Sequence, residues 1–83
     1  MNKKLLQKAL SAPNNFRFSD MVRLAEAFGF RLSRKSGSHH IYAHPGVTEL
    51  LNLQDVKGKA KPYQIRQCLK LVEKYNLELG EDQ

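Results

Sequence analysis

The chain has 83 residues, of which 41% are apolar, and a net charge of +6. That length fits one domain, spanning 1–83, with a modest core and room for one site. No apolar run approaches the roughly 18 residues that a membrane span needs. The basic N-terminal segment 1–10 lacks the continuous apolar stretch of a signal peptide. The single cysteine, Cys68, excludes an internal disulfide and a thiolate-based zinc site, and it fits a reducing, cytoplasmic setting.

The charge is unevenly distributed. Residues 1–35 hold eight Lys/Arg against Asp20 and Glu26, and residues 57–83 hold six against four carboxylates. Between them, residues 36–56 carry no Lys/Arg, only Glu49 and Asp55. Basic charge arranged this way favours a polyanion, nucleic acid or an acidic protein, although it also serves solubility.

In chain order, Leu5, Leu6, Ala9 and Leu10 fall at helical spacing and predict a short helix over 2–11. Pro13-Asn14-Asn15 breaks it. Ser19 is the expected N-cap of a second helix, with Asp20 in its first turn. Met21, Leu24, Ala25 and Phe28 form the apolar stripe of that helix, and Gly29 ends it in a left-handed conformation. Alternation over 30–35 predicts a strand, Ser36-Gly37-Ser38 a turn, residues 39–44 a second strand, Pro45-Gly46 another turn, and residues 48–53 a third strand. Residues 55–61 read as a loop with Lys57, Lys59 and Lys61 on alternate positions around Gly58. Pro62 suits the first turn of a last helix, whose stripe reads Ile65, Leu69, Val72 and Tyr75 or Asn76, with Cys68 beside it in the core. From Gly80 the tail, 80–83, is acidic and expected to fray.

Short connections make the strands an antiparallel meander, and two helices suffice to cover one of its faces. The expected fold class is α+β: a three-stranded antiparallel sheet with helices on one face. The order α-β-β-β-α is that of double-stranded RNA-binding domains, here with an extra N-terminal helix.

The segment Arg34-Lys35 to Tyr42 carries the chemistry. Two imidazoles, His39 and His40, stand at a strand start beside a glycine turn and two cations. Histidine moves protons near neutral pH, and cations stabilise a phosphate. This grouping suits binding RNA and cutting it: a base takes the 2′-hydroxyl proton, the oxygen attacks the adjacent phosphorus, and a proton goes to the departing 5′-oxygen. The acidic residues are scattered rather than clustered as a two-metal nuclease needs, so neither metal nor cofactor is expected.

These residues resemble the HicA toxin family over roughly 19–76. The resemblance rests on Ala27-Phe28-Gly29-Phe30, on Arg34-Lys35 followed by Gly37-Ser38-His39 and the aromatic Tyr42, on His44-Pro45-Gly46, and on Gly58-Lys59 with Lys61-Pro62-Tyr63-Gln64-Ile65-Arg66-Gln67. It implies the double-stranded RNA-binding-domain-like fold, an mRNA endonuclease of a toxin–antitoxin pair, a catalytic role for His39, and a HicB-type antitoxin as partner. Many members carry Pro-His at the end of the third strand, where this chain has Leu53-Gln54-Asp55.

His39 is therefore the candidate general base. Arg34, Lys35, Gly37, Ser38 and His40 are candidate RNA contacts, and Lys57, Lys59 and Lys61 form a second patch beside the last helix. Tyr42 and Tyr63 suit base stacking, although Tyr42 suits packing in the sheet equally well. Strand alternation puts His39, Ile41 and Ala43 on one face and His40, Tyr42 and His44 on the other. If Ile41 is core, His39 starts the buried face and reaches RNA only at its open edge. His44, before Pro45, is expected to shape a turn. The alternatives are a non-catalytic RNA-binding module of the same fold, and a protein-interaction module with a basic face.

Overall fold

A computed structural model describes residues 2–80. The chain runs α1 (Asn2–Ser11), a short 3-10 turn (Pro13–Asn15), α2 (Phe18–Ala27), β1 (Arg31–Ser36), β2 (His39–His44), β3 (Val47–Gln54) and α3 (Pro62–Lys74). The strands form one antiparallel sheet in the order β1-β2-β3. The fold is α+β, with the element order of double-stranded RNA-binding domains preceded by α1. No helix among the described residues is long and apolar enough to cross a membrane.

α2 forms as its spacing predicts: Met21, Leu24, Ala25 and Phe28 are all buried. Its start differs from expectation. The helix begins at Phe18 with Arg17 at the cap position, so Ser19 lies inside the first turn. Asp20 does the capping, since its Oδ2 accepts the Arg17 backbone N–H at 3.3 Å. The same carboxylate takes a bond from Lys8 Nζ at 3.0 Å, which ties α1 to α2. Burial alone would raise the Asp20 pKa; the Lys8 bond, the Arg17 amide and the charges of Lys8 and Arg23 outweigh it and hold the pKa below its ordinary value.

Gly29 follows α2 with φ +97, a conformation that L side chains rarely adopt. A Cβ there would lie 2.8 Å from His44 Nε2. That ring is held in place on both sides. It packs edge-on against Phe30 at 5.3 Å between centroids, and its Nδ1 accepts the Gly46 N–H at 2.9 Å, so His44 shapes the β2–β3 turn.

The helices cover one face of β2 and β3. Tyr42, Val47, Leu51 and Leu53 point into a single cluster with Met21, Leu24, Ile65, Cys68 and Leu71. Each such side chain contributes on the order of 1.5–3 kcal/mol by leaving water. β1 lies beyond the helices: all six of its residues are exposed, Leu32 included. Its register jumps between Leu32 and Arg34, a bulge at Ser33 that sends Arg34 opposite Ile41.

The buried row of α3 is Gln64, Ile65, Cys68 and Leu71, while Leu69 and Val72 are only partly buried. Relative to the expected stripe the row is turned toward Cys68, because α3 lies along β3. Burial pushes the Cys68 thiol up to about 12, so it is a core residue and not a nucleophile. Gln64 is fully buried and was not foreseen. Its Oε1 accepts the Gln54 N–H at 3.2 Å and its Nε2 donates to the Gln54 carbonyl at 2.9 Å. This clamp joins the start of α3 to the end of β3. At the C-terminal end, the Gly80 N–H donates to the Ala27 carbonyl at 2.6 Å. The rest of the tail expected to fray, 81–83, lies outside the described residues.

Candidate functional site

The register across the sheet decides what shares a face. Ser36 pairs with His39, which pairs with Gln54; Arg34 pairs with Ile41, which pairs with Asn52. Paired residues point the same way. Tyr42 is buried among the helices, so its neighbours in sequence, Ile41 and Ala43, and with them His39, belong to the open face. The condition in the alternation argument is thus not met, because Tyr42 is the core residue of β2 and Ile41 is only half-buried. Leu51 and Leu53 set this, since they pair with Tyr42 and His40 on the side that α2 and α3 occupy. His39 stands exposed on the uncovered face, with Nδ1 3.2 Å from Asn52 Oδ1.

Of the neighbouring cations, only Arg34 joins His39 there, as its diagonal neighbour on β1. Lys35 pairs with His40 and points to the helix side, at the exposed edge. His40 is half-buried; its ring lies 4.8 Å from that of Phe18, and its Nδ1 is 3.1 Å from the Ser38 carbonyl. It therefore packs beneath the turn. That turn has Gly37 at φ +59 with open space around it, so a ligand can approach the backbone closely. Tyr42 packs in the sheet, and burial raises its pKa. Tyr63, at the start of α3, is 48% exposed and free to stack.

The lysine loop sits next to this turn, because the Asp55 N–H donates to the Ser38 carbonyl at 3.0 Å. Val56 and Lys59 exchange both backbone bonds at 3.0 Å, closing a two-residue turn with Lys57 at φ +53 and Gly58 at φ +80. Positive φ at both centres is the type I′ pattern. Asp55 Oδ1 accepts the Gly58 N–H at 2.7 Å and braces the turn from inside.

The loop is also stitched to the chain before α2. Phe18 donates its N–H to the Gly58 carbonyl at 2.9 Å, Ala60 donates to Phe16 at 3.1 Å, and Arg17 bridges to Lys59. An open cleft of about 400 Å³ results, lined by Asn14, Lys57, Lys59, Lys61 and Pro62 among others. Lys59 lies four residues from Asp55, so this cluster begins within roughly 14 Å of the Gly-Ser turn. Sequence reading missed Arg17 and Asn14 here. Nothing local marks them, since only the pairing of segment 16–18 with the loop brings them to it.

Among the described residues, no three His, Cys, Asp or Glu side chains gather as a metal site would require. Arg34 thus shares the open sheet face with one exposed imidazole and the lysine loop adjoins the turn before it, while the helices fill the other face over β2 and β3.

This is a small basic domain built on the double-stranded RNA-binding plan. The family described as HicA toxin of bacterial toxin-antitoxin matches residues 18–73, and the chain belongs to the HicA toxin family. It is accordingly the toxin half of a toxin–antitoxin pair, with a cognate antitoxin as partner. No curated protein and no solved structure matches the chain. α1 and the 3-10 turn precede the matched span.

Proposed function

We propose that the protein is a metal-independent endoribonuclease that cleaves mRNA in the cytoplasm, with His39 as the general base. The observation that carries this reading is the exposed His39 imidazole on the uncovered sheet face, with Arg34 diagonal to it and the Gly37-Ser38 turn at its side. Nε2 takes the proton of a 2′-hydroxyl. The freed oxygen bonds to the adjacent phosphorus, and the bond to the 5′-oxygen breaks as that oxygen gains a proton. The products are a 2′,3′-cyclic phosphate and a 5′-hydroxyl. A positioned base contributes about 10²- to 10⁴-fold in rate.

Arg34 offsets the charge that builds on the phosphoryl oxygens. Gly37 and Ser38 admit the backbone beside it. Lys57, Lys59 and Lys61, with Arg17, hold the strand further along, where Tyr63 offers a face to a base. Lys35 and His40 lie on the helix side of the sheet; Lys35 adds to the attractive field, and His40 supports the turn. A HicB-type antitoxin neutralises the toxin by covering the His39 face.

The test is incubation of wild-type and His39→Ala protein with a defined mRNA in EDTA. Cleavage by the wild type alone, with cyclic phosphate at the new 3′ ends, is the expected result. Intact RNA in both lanes, with gel shifts in both, would replace this reading by an RNA-binding module without catalysis. Cleavage by folded His39→Ala would remove His39 from the mechanism.

A further inference from the structure

An imidazole acts as a base only through the nitrogen that lacks a proton, so the tautomer of His39 decides whether it can work. Its Nδ1 lies 3.2 Å from Asn52 Oδ1. A carbonyl oxygen of an amide only accepts, so this contact is a hydrogen bond when Nδ1 carries the proton. The lone pair then sits on Nε2, the nitrogen directed away from Asn52.

The pairing geometry makes the contact a property of the sheet. His39 pairs with Gln54 and Ile41 with Asn52, so Asn52 is the diagonal neighbour of His39 on the open face. The ladder holds both backbones, and Gln64 locks Gln54 on either side of its peptide. Asn52 is exposed, so no demand of core packing accounts for an amide there.

We propose that Asn52 is a positioning residue: it holds His39 in the Nδ1–H tautomer and aims Nε2 at the RNA. This rests on the reading of His39 as the base. When Nε2 takes the 2′-hydroxyl proton the ring becomes cationic, and the Nδ1–H···Oδ1 bond becomes charge-assisted, hence stronger in the transition state than before it. From β1 the charged groups on the face of His39 are Arg34, diagonal to it, and Arg31 further along, opposite Ala43, whose guanidinium donates to the Glu26 and Phe30 carbonyls. From β3 that face presents Asn52 and Gln54, neither of which titrates.

The experiment pairs a spectroscopic readout with a kinetic one. Two-bond ¹H–¹⁵N spectra of the full chain report the tautomer of each histidine whether or not the protein cleaves RNA. The expected wild-type pattern for His39 is Nδ1–H, changing to mostly Nε2–H in Asn52→Ala. A wild-type His39 in the Nε2–H form would overturn the proposal, as would a tautomer that Asn52→Ala leaves unchanged.

In cleavage assays Asn52→Ala is expected to lower kcat roughly tenfold to a hundredfold, part of what a positioned base contributes, with KM within about twofold. In the His39→Ala background it should cost nothing more. Asn52→Asp keeps an acceptor and should restore most of the rate, with the acid limb of the pH–rate profile moved to higher pH, because a carboxylate favours the imidazolium. An Asn52→Ala protein with wild-type rate and pH profile would overturn the proposal. If wild-type protein does not cleave at all, the base reading falls, and the tautomer spectra still decide the role of Asn52.

Discussion

Replacing Gln64 tests how the site is held. Its side chain is fully buried and both halves of its amide bond to the backbone of Gln54, the residue opposite His39. Gln64→Ala removes two hydrogen bonds at about 1 kcal/mol each and leaves a small void worth about another 1 kcal/mol. The sum is about 3 kcal/mol, which for a domain of this size lowers Tm by roughly 12–24 °C.

Gln64→Leu separates the two causes. It refills most of the volume while leaving the Gln54 N–H and carbonyl unpaired, so it should still cost about 2 kcal/mol. Thermal and urea unfolding of the three proteins measure this. Gln64→Glu adds a signed test. One oxygen still accepts the Gln54 N–H, but the other faces a carbonyl and needs a proton, so the pKa in the fold is raised. The stability of that variant is then full below the unfolded value, near 4.3, and is lost as pH rises through the folded one. If Gln64→Leu melts at the wild-type temperature, the clamp contributes nothing and the reasoning about how β3 and α3 are joined is wrong.

The remaining predictions concern the turns, the second basic patch and the C-terminal end of α3. Gly29→Ala should cost about 3 kcal/mol, from backbone strain of about 1–2 kcal/mol plus the collision with the wedged His44 ring, whereas Gly37→Ala, with open space, should cost only the strain; equal melting temperatures would refute the steric share. Lys57→Asn replaces a residue at φ +53 by one that tolerates it, so unfolding should show unchanged or slightly higher stability, while RNA binding weakens and its salt slope falls by about one. Unchanged salt dependence would take Lys57 out of the RNA contact. Glu49 is held at about 2, against an ordinary 4.5, by bonds from Lys74, Tyr75 and Thr48. Its contribution is present above the ordinary value and lost as pH falls toward 2, so Glu49→Gln should flatten stability across that window. Cys68, buried and with its thiol pushed up to about 12, should react with a thiol reagent at pH 8 only on unfolding.

The elements and their order were legible because each is written in local signals. The stripe Met21, Leu24, Ala25, Phe28 made α2, glycine ended it, and the Gly37 and Pro45-Gly46 turns bounded β2. The cap of α2 differs from expectation because the helix starts before Ser19, at Phe18, and Asp20 reaches back to the Arg17 amide, a start fixed by the pairing of segment 16–18 with the lysine loop. The stripe of α3 was read slightly rotated, since a helix with several apolar residues around it does not reveal which of them will meet the sheet.

The residues of the candidate site can be named from the sequence, but their arrangement cannot. Alternation along residues 39–44 divides them into two sets, and this division follows from backbone geometry alone. Which set is buried depends on where α2 and α3 settle. They settle over Tyr42, Leu51 and Leu53, so His39 faces outward, while His40 turns inward against Phe18. The bulge at Ser33 then selects Arg34 over Lys35 as the cation diagonal to His39 on its face. Arg17, Asn52 and Gln64 acquire their places through partners far away in the chain, Lys59, His39 and Gln54. Charge, periodicity and turn residues are properties of short stretches, and they prescribe the elements and the basic character of the chain. Facing, pairing and burial arise only when those elements compete for the same apolar surface, and that competition is settled by packing in three dimensions.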